Sequence, residues 1–96
     1  MRVHFIGIGG IGVSALAQYF LQKGHEVSGS DLASSEITEL LREKGVHIFI
    51  GHSHTNINKD ISLVIYSPAV TKENHEFVQA KEFGIPLKSY PEALGH

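Results

Sequence analysis

A glycine-rich turn close to the start of the chain constrains the fold more than any other feature. Residues 2–6 are mostly apolar, and Gly7, Gly9 and Gly12 follow with the spacing Gly-x-Gly-x-x-Gly. In such a turn the first glycine permits the tight bend, the second lets a ligand approach the backbone, and the third lets the helix pack against the strand. The backbone N–H groups and the positive end of the helix can then face an anion. The spacing predicts a strand, a phosphate-binding loop and a helix.

Strand-like and helix-like segments alternate along the rest of the chain. Further strands are predicted at residues 26–31, 46–50, 63–67 and 85–90, the last of them at an edge. Helices are predicted at about 11–23, from a Ser34 or Ser35 cap to Lys44, and around Phe77 up to Gly84, with a helical turn at 91–94. Residues 52–62 form a polar crossover. This order predicts an α/β fold: a Rossmann-like open parallel five-stranded sheet with helices on both faces, in a three-layer sandwich.

Composition limits the size and the partners of the chain. The 96 residues, 42% of them hydrophobic, can build one core, so a single domain over residues 1–96 is expected. A net charge of −2 without a basic cluster argues against nucleic acid and anionic membranes as partners. The chain has no cysteine, which fits a cytoplasmic location. The apolar start is expected to be core rather than an export signal, because glycines interrupt it and no basic region precedes it.

The candidate binding residues lie where strands are predicted to end. Ligands of an open parallel sheet bind outside the carboxyl ends of the strands where strand order reverses, here above the first and fourth strands. Asp31 stands nineteen residues after Gly12, the position of an acid that accepts hydrogen bonds from ribose, although it could instead form a turn before the second helix. Ser30 shares this rim. Ser67 ends the fourth strand, where the segment could be only a strand terminator.

The histidines and the missing motifs argue against a metal site or a catalytic centre in this chain. His52 and His54 lack a cysteine or a third spaced histidine, so they are predicted to be solvated loop residues, with His52 near the pocket. There is no nucleophile elbow and no Gly-x-x-x-x-Gly-Lys-Ser/Thr loop for ATP, so no catalytic residue is predicted. No role is predicted for the other histidines, which are His4, His25, His47 and His75.

Four segments carry a resemblance to a known family. They are residues 5–14, 27–31, 51–53 and 66–70. In this order they resemble the amino-terminal domain of the Mur ligase family. The doubled glycine Gly9-Gly10 and the strand end Ser28-Gly29-Ser30-Asp31 make the chain similar to the alanine-adding members in particular.

The resemblance implies a three-domain cytoplasmic enzyme of peptidoglycan biosynthesis. In this family the first domain binds the uridine diphosphate part of UDP-N-acetylmuramate, the central domain binds ATP and Mg²⁺, and the last receives L-alanine. The lactoyl carboxylate is activated as an acyl phosphate, and the amine of L-alanine attacks it to form an amide. This chain resembles the first domain only, so it is expected to hold no cofactor and to be inactive by itself.

The resemblance also implies roles for individual residues. The residues that would hold the diphosphate are Gly7, Gly9, Gly10, Ile11, Gly12 and Ser14. Those that would border uridine are Ser30, Asp31, His52, Ser67 and Ala69. Two alternatives stay open: an NAD-binding domain of an oxidoreductase, which the glycine spacing and Asp31 allow equally well, and a dimeric nucleotide-sensing regulatory module.

Overall fold

Five parallel strands form one sheet in the computed structural model, which describes residues 1–95. The strands are β1 (Arg2–Ile6), β2 (Glu26–Asp31), β3 (His47–Ile50), β4 (Leu63–Tyr66) and β5 (Leu87–Ser89). The helices are α1 (Ile11–Gln22), α2 (Glu36–Glu43), α3 (His75–Glu82) and α4 (Tyr90–Gly95), with a 3-10 turn at His54–Asn56. The predicted α/β class and the parallel five-stranded sheet are confirmed.

Strand order reverses at the centre of the sheet. The order is β3-β2-β1-β4-β5, so the chain moves outward from β1 to β3 and then crosses to the other side of β1. In the register, Ile6 pairs with Ser30 of β2 and with Tyr66 of β4, which brings the carboxyl ends of three strands to one edge. The predicted switch point above the first and fourth strands is therefore confirmed, and β5 lies at an edge as predicted.

The two faces of the sheet have different cores because side chains alternate along each strand. Val3 and Phe5 pack with residues of α1 and α2 on one face. On the other face, Ile6 packs with Phe77 and other residues of α3. The helices thus cover both faces, which completes the predicted three-layer sandwich. Within residues 1–95, no helix combines the length and the apolar character needed to cross a bilayer.

The strands β1 and β2 span the predicted residues, and the ends of the other elements differ from the sequence prediction by one or two residues. β3 begins one residue later, β4 ends one residue earlier, and β5 is three residues long because its register with β4 covers only Leu87–Ser89. Two apolar residues of the predicted helical segments are not in the core: Leu40 is 46% exposed and Phe83 is 37% exposed. Helical periodicity predicts both on the buried face. The helix α2 instead buries the neighbouring Leu41, and Phe83 is the C-cap residue that follows the last turn of α3.

Candidate functional site

An open cleft of about 500 Å³ lies at the switch point of the sheet. The ends of four strands contribute to it, because Gly7 follows β1, Asp31 ends β2, His52 follows β3 and Ser67 follows β4. Six of the residues predicted from the sequence line this cleft together: Gly7, Gly10, Asp31, His52, Ser67 and Ala69. The position matches the crevice in which ligands of open parallel sheets bind.

The turn after β1 requires its first glycine. Gly7 has a φ of +82°, and its amide donates to the carbonyl of Ser30 at 2.8 Å. A Cβ atom at this position would lie 2.8 Å from Cβ of Ser67. The predicted tight turn is therefore confirmed, and its cause is twofold: the left-handed backbone and the close approach of the residue after β4.

The amino-terminal end of α1 is left uncapped. Its N-cap is Gly10, which has no side chain to accept a hydrogen bond, and the first turn contains no acidic residue. The first intrahelical bond runs from the amide of Ser14 to the carbonyl of Gly10, at 2.8 Å. Within residues 1–95, the amides of Ile11, Gly12 and Val13 have no hydrogen-bond acceptor. Three donors and the positive end of a helix dipole are thus available beside the cleft.

The carboxylate of Asp31 is tied to the glycine loop. One oxygen accepts from the amide of Gly9 at 2.7 Å, and the other accepts from the amide of Leu32 at 2.8 Å. A Cβ atom on Gly9 would lie 2.7 Å from that first oxygen. Gly9 therefore makes room for Asp31, whereas the sequence had suggested room for a ligand. Each carboxylate oxygen keeps a second lone pair with which a ligand hydroxyl can bond.

Two other loop residues have structural surroundings that the sequence did not predict. A Cβ atom on Gly12 would collide with the ring of Tyr90, 2.7 Å from Cζ, so this glycine admits α4 and not the strand. Ser14 is buried, and its hydroxyl donates to the carbonyl of Ile11 at 2.9 Å, along the helix. The polar group that Ile11 offers is its amide, since its side chain is 82% exposed and apolar.

Behind the cleft lies a buried carboxylate that the sequence analysis missed. Glu76 of α3 is fully buried, and one of its oxygens accepts from Nε2 of His4 at 2.6 Å and from the hydroxyl of Ser30 at 2.7 Å. The other oxygen accepts from Nδ2 of Asn56 at 2.9 Å and from the amide of Ser53 at 3.0 Å. Ser30 therefore lies behind the predicted rim, with its hydroxyl engaged in the interior.

The environment of Glu76 keeps it ionised. Burial would raise the pKa of its carboxyl, but the hydrogen bond and the charge of His4, followed by the hydrogen bonds of Asn56 and Ser30, lower the pKa below its usual 4.5. The sequence carried one signal for this cluster. His4 stands between the apolar residues Val3 and Phe5 of a predicted strand, and a buried polar side chain needs a partner.

His52 connects the cluster with the cleft. Its Nδ1 lies 2.8 Å from the hydroxyl oxygen of Ser30 and 3.6 Å from Glu76, and its side chain is only 13% exposed. The prediction of a solvated loop residue is wrong for His52 because its ring is bonded into the interior, whereas His54 is exposed as predicted. The expectation that His52 lies near the pocket agrees with its place in the cleft wall.

The charges of the cleft wall are acidic. Asp31 and Glu73 contribute carboxylates, and no lysine or arginine is among the lining residues. An anion in this cleft would therefore depend on backbone amides. Asn74, which also lines the cleft, could have been predicted as a helix cap from its residue type, three residues before Phe77. In the part of the chain that the structure describes, no group of three potential ligands could hold a metal ion.

An open parallel sheet with a glycine-rich turn and a cleft at its switch point defines the Rossmann-like class of α/β domains. The sequence comparisons narrow this class. Residues 2–96 match the family model described as Mur ligase family, catalytic domain. The chain belongs to the Mur ligase family.

Individual relatives agree with this assignment. The chain is 53% identical over 94 residues to the UDP-N-acetylmuramate–L-alanine ligase of Clostridium kluyveri, and 56% identical over 94 residues to that of Campylobacter jejuni. These matches cover 98% and 97% of this chain and 21% of each relative. The crystal structure of UDP-N-acetylmuramate-alanine ligase from Thermotoga maritima superposes with a TM-score of 0.90 at 42% identity, covering 94% of this chain and 21% of that one.

The chain thus spans about a fifth of the length of the curated relatives that it matches. Its likeness is to the amino-terminal domain of UDP-N-acetylmuramate–L-alanine ligases, as the sequence resemblance implied. Neither alternative function, an oxidoreductase domain or a regulatory module, is favoured by these relatives.

Proposed function

We propose that this chain is the UDP-sugar-binding domain of an ATP-dependent ligase that adds L-alanine to UDP-N-acetylmuramate in peptidoglycan biosynthesis in the cytoplasm. Support comes from the family assignment and from relatives that carry this name at 53% and 56% identity. Because the chain corresponds to only a fifth of those relatives, its own part in the reaction would be recognition of the sugar nucleotide.

The observation that carries this proposal is the uncapped end of α1. Three amides that have no acceptor within residues 1–95, those of Ile11, Gly12 and Val13, stand at the positive end of a twelve-residue helix beside the cleft. A diphosphate would accept hydrogen bonds from these amides, and its negative charge would face the positive end of the helix dipole. Gly7 and Gly10 line the same cleft, and Gly9 leaves room for the carboxylate of Asp31 beside it. Ser14 would contribute to the diphosphate site through its place in the first turn of α1, where its hydroxyl bonds to the carbonyl of Ile11.

The rest of the cleft suits the nucleoside. The carboxylate of Asp31 can accept from ribose hydroxyls, which are donors without charge. His52, Ser67 and Ala69 line the same wall, where they would border uridine, and Ser30 would act from behind it through His52. The acidic lining residues would repel a phosphate group that is bound away from the end of α1. We therefore place the whole diphosphate at α1 and the nucleoside towards β2 and β3.

ATP, Mg²⁺ and L-alanine would be bound outside this chain. The sequence has no Gly-x-x-x-x-Gly-Lys-Ser/Thr loop, and residues 1–95 contain no cluster of three carboxylate or histidine ligands for a metal. The residues present therefore do not fit the ATP and magnesium site that the family implies. Activation of the muramate carboxylate and its attack by alanine belong, in this proposal, to other domains of the ligase.

An NMR titration of the ¹⁵N-labelled chain with UDP-N-acetylmuramate tests the proposal. We expect the largest shift changes at the amides of Ile11, Gly12 and Val13, because these gain an acceptor. NAD is the matched control ligand and is expected to bind more weakly than UDP-N-acetylmuramate. An oxidoreductase domain would instead bind NAD more tightly. Shift changes that avoid residues 7–14, or tighter binding of NAD, would contradict the proposal.

A further inference from the structure

The imidazole of His52 is held from inside the protein by a carboxylate that does not itself reach the cleft. We infer that Glu76 is a positioning residue which, through the hydroxyl of Ser30, fixes the tautomer of His52, so that the cleft presents the Nε2 lone pair as a hydrogen-bond acceptor to the ligand. This inference rests on the proposed function for the identity of the ligand, but the tautomer itself can be measured without one.

The protons around Glu76 have one possible arrangement. An ionised carboxylate can only accept hydrogen bonds, and the low pKa of Glu76 keeps it in this form. The hydroxyl of Ser30 therefore donates its single hydrogen to Glu76, at 2.7 Å. That hydroxyl has no second hydrogen to offer to any other group.

The contact between Ser30 and His52 fixes the position of the imidazole hydrogen. Nδ1 of His52 lies 2.8 Å from the oxygen of Ser30, and this oxygen can now act only as an acceptor. Nδ1 of His52 must therefore carry the hydrogen of this bond. A neutral imidazole has one N–H group, so Nε2 of His52 carries a lone pair.

Nε2 of His52 faces outward. It has no hydrogen-bond partner within residues 1–95, and in that part of the chain no buried side-chain nitrogen or oxygen lacks a partner. Nε2 is therefore accessible, and His52 lines the cleft. An acceptor at this point bonds to a neutral donor, such as a ribose hydroxyl or the imide N–H of uracil, and cannot bond to a phosphate oxygen.

His4 supplies an internal reference. Its Nε2 lies 2.6 Å from the same oxygen of Glu76, so this histidine donates through Nε2, whereas His52 is held through Nδ1. Its Nδ1 lies 2.8 Å from the hydroxyl of Ser28. One buried carboxylate thus holds two histidines in two different orientations, and only His52 reaches the cleft.

Long-range ¹H–¹⁵N correlation spectra of the histidine rings in the 96-residue chain test the inference at neutral pH. We expect the hydrogen of His52 on Nδ1 in the unaltered chain. Ser30→Ala should give a mixture of tautomers at His52. Ser28→Ala is the matched control, because it removes a hydroxyl of the same strand and face that contacts His4 instead; it should leave His52 unchanged. Glu76→Gln is a second variant, with the expected result of Ser30→Ala.

A hydrogen on Nε2 of His52 in the unaltered chain, or an unchanged Nδ1–H signal in both Ser30→Ala and Glu76→Gln, would overturn the inference. Titration with UDP tests its consequence for binding. Ser30→Ala should raise the dissociation constant about tenfold and Ser28→Ala less than about twofold. Equal constants for the two variants would overturn the role in ligand recognition. Failure of the unaltered chain to bind UDP, with the Nδ1–H signal present, would overturn the proposed function and still support the positioning by Glu76.

Discussion

The amino-terminal ends of α1 and α3 lie beside the same cleft but are completed in opposite ways. The end of α3 is capped by Asn74, whose side-chain oxygen accepts from the amides of Glu76 at 2.9 Å and Phe77 at 3.3 Å. Its first turn also contains the acidic Glu76. In the part of the chain that the structure describes, the end of α1 has a glycine cap, no acid in its first turn and three amides without an acceptor.

The difference shows that, at one edge of the sheet, one helix end is stabilised by the protein's own side chains and another is left available for a ligand. Capping side chains satisfy the orphan amides of a helix and stabilise it, typically by about 1 kcal/mol. α2 follows the same rule as α3, with a capping box between Ser35 and Thr38 and an acidic Glu36 in its first turn. α1, the longest helix of the described chain, lacks these devices, which leaves its donors available to an acceptor from outside.

The largest effect is expected from removing the buried acid of α3. Glu76→Ala leaves His4, Ser30 and Asn56 without their acceptor in the interior, and we expect a loss of about 3–5 kcal/mol in the free energy of unfolding. Urea unfolding measures this loss. Glu73→Ala is the control, since Glu73 is exposed three residues earlier and should change stability by less than about 0.5 kcal/mol. Similar values for both variants would contradict the role of Glu76.

The second largest effect, a loss of ligand binding, is expected from adding a capping side chain to the end of α1. Gly10 has φ −67° and ψ 148°, and a Cβ atom there would have only ordinary contacts, so a side chain fits. Gly10→Asp places a carboxylate on the free amides, and it should weaken UDP-N-acetylmuramate binding about a hundredfold, or about 2.8 kcal/mol. Calorimetric titration measures this change.

The control for this prediction is Gly10→Ala, which adds a Cβ atom without an acceptor and should bind nearly as well as the unaltered chain. Gly10→Asp should also raise the free energy of unfolding of the free chain slightly, by about 0.5 kcal/mol. Equal binding by the Asp and Ala variants would show that the free amides of α1 are not the anion site.

A smaller effect is expected from pH, because it removes only the charge of Glu76. The pKa of this carboxyl is lower in the folded chain than its usual 4.5. The stabilisation is therefore fully present above pH 4.5 and is lost as the pH falls through the folded pKa. Urea unfolding between pH 7 and pH 3 should show a decline that is shallower in Glu76→Gln. A parallel decline in both proteins would assign the acid sensitivity to other groups.

The smallest effect is expected from removing the cap of α3 without touching its acid. Asn74→Ala frees the amides of Glu76 and Phe77, and we expect a loss of about 1 kcal/mol in the free energy of unfolding. Asn58→Ala is a suitable control because Asn58 is exposed, and among residues 1–95 its side chain bonds to the amide of Asp60 alone and to no helix end. A loss at Asn74 no larger than that at Asn58 would mean that the cap contributes little.

Much of the fold and part of the site follow from the sequence alone. Apolar periodicity and glycine spacing are local properties, so they predicted the parallel sheet, the switch point and the turn at Gly7. The strand ends also predicted the residues that meet in the cleft, because carboxyl ends of parallel strands share one edge. The element boundaries were less accurate, as at β5, because pairing with β4 decides where a strand stops.

Only the tertiary structure decided which polar groups are already hydrogen-bonded within the protein. Nothing in the local sequence joins His4 of β1 to Glu76 of α3, which lie 72 positions apart, or gives the carboxylate of Asp31 to the amide of Gly9. The space beside Gly12 is likewise filled by the ring of Tyr90 of α4. Hydrogen bonds of buried groups depend on which segments meet in three dimensions, whereas secondary structure depends on neighbours along the chain.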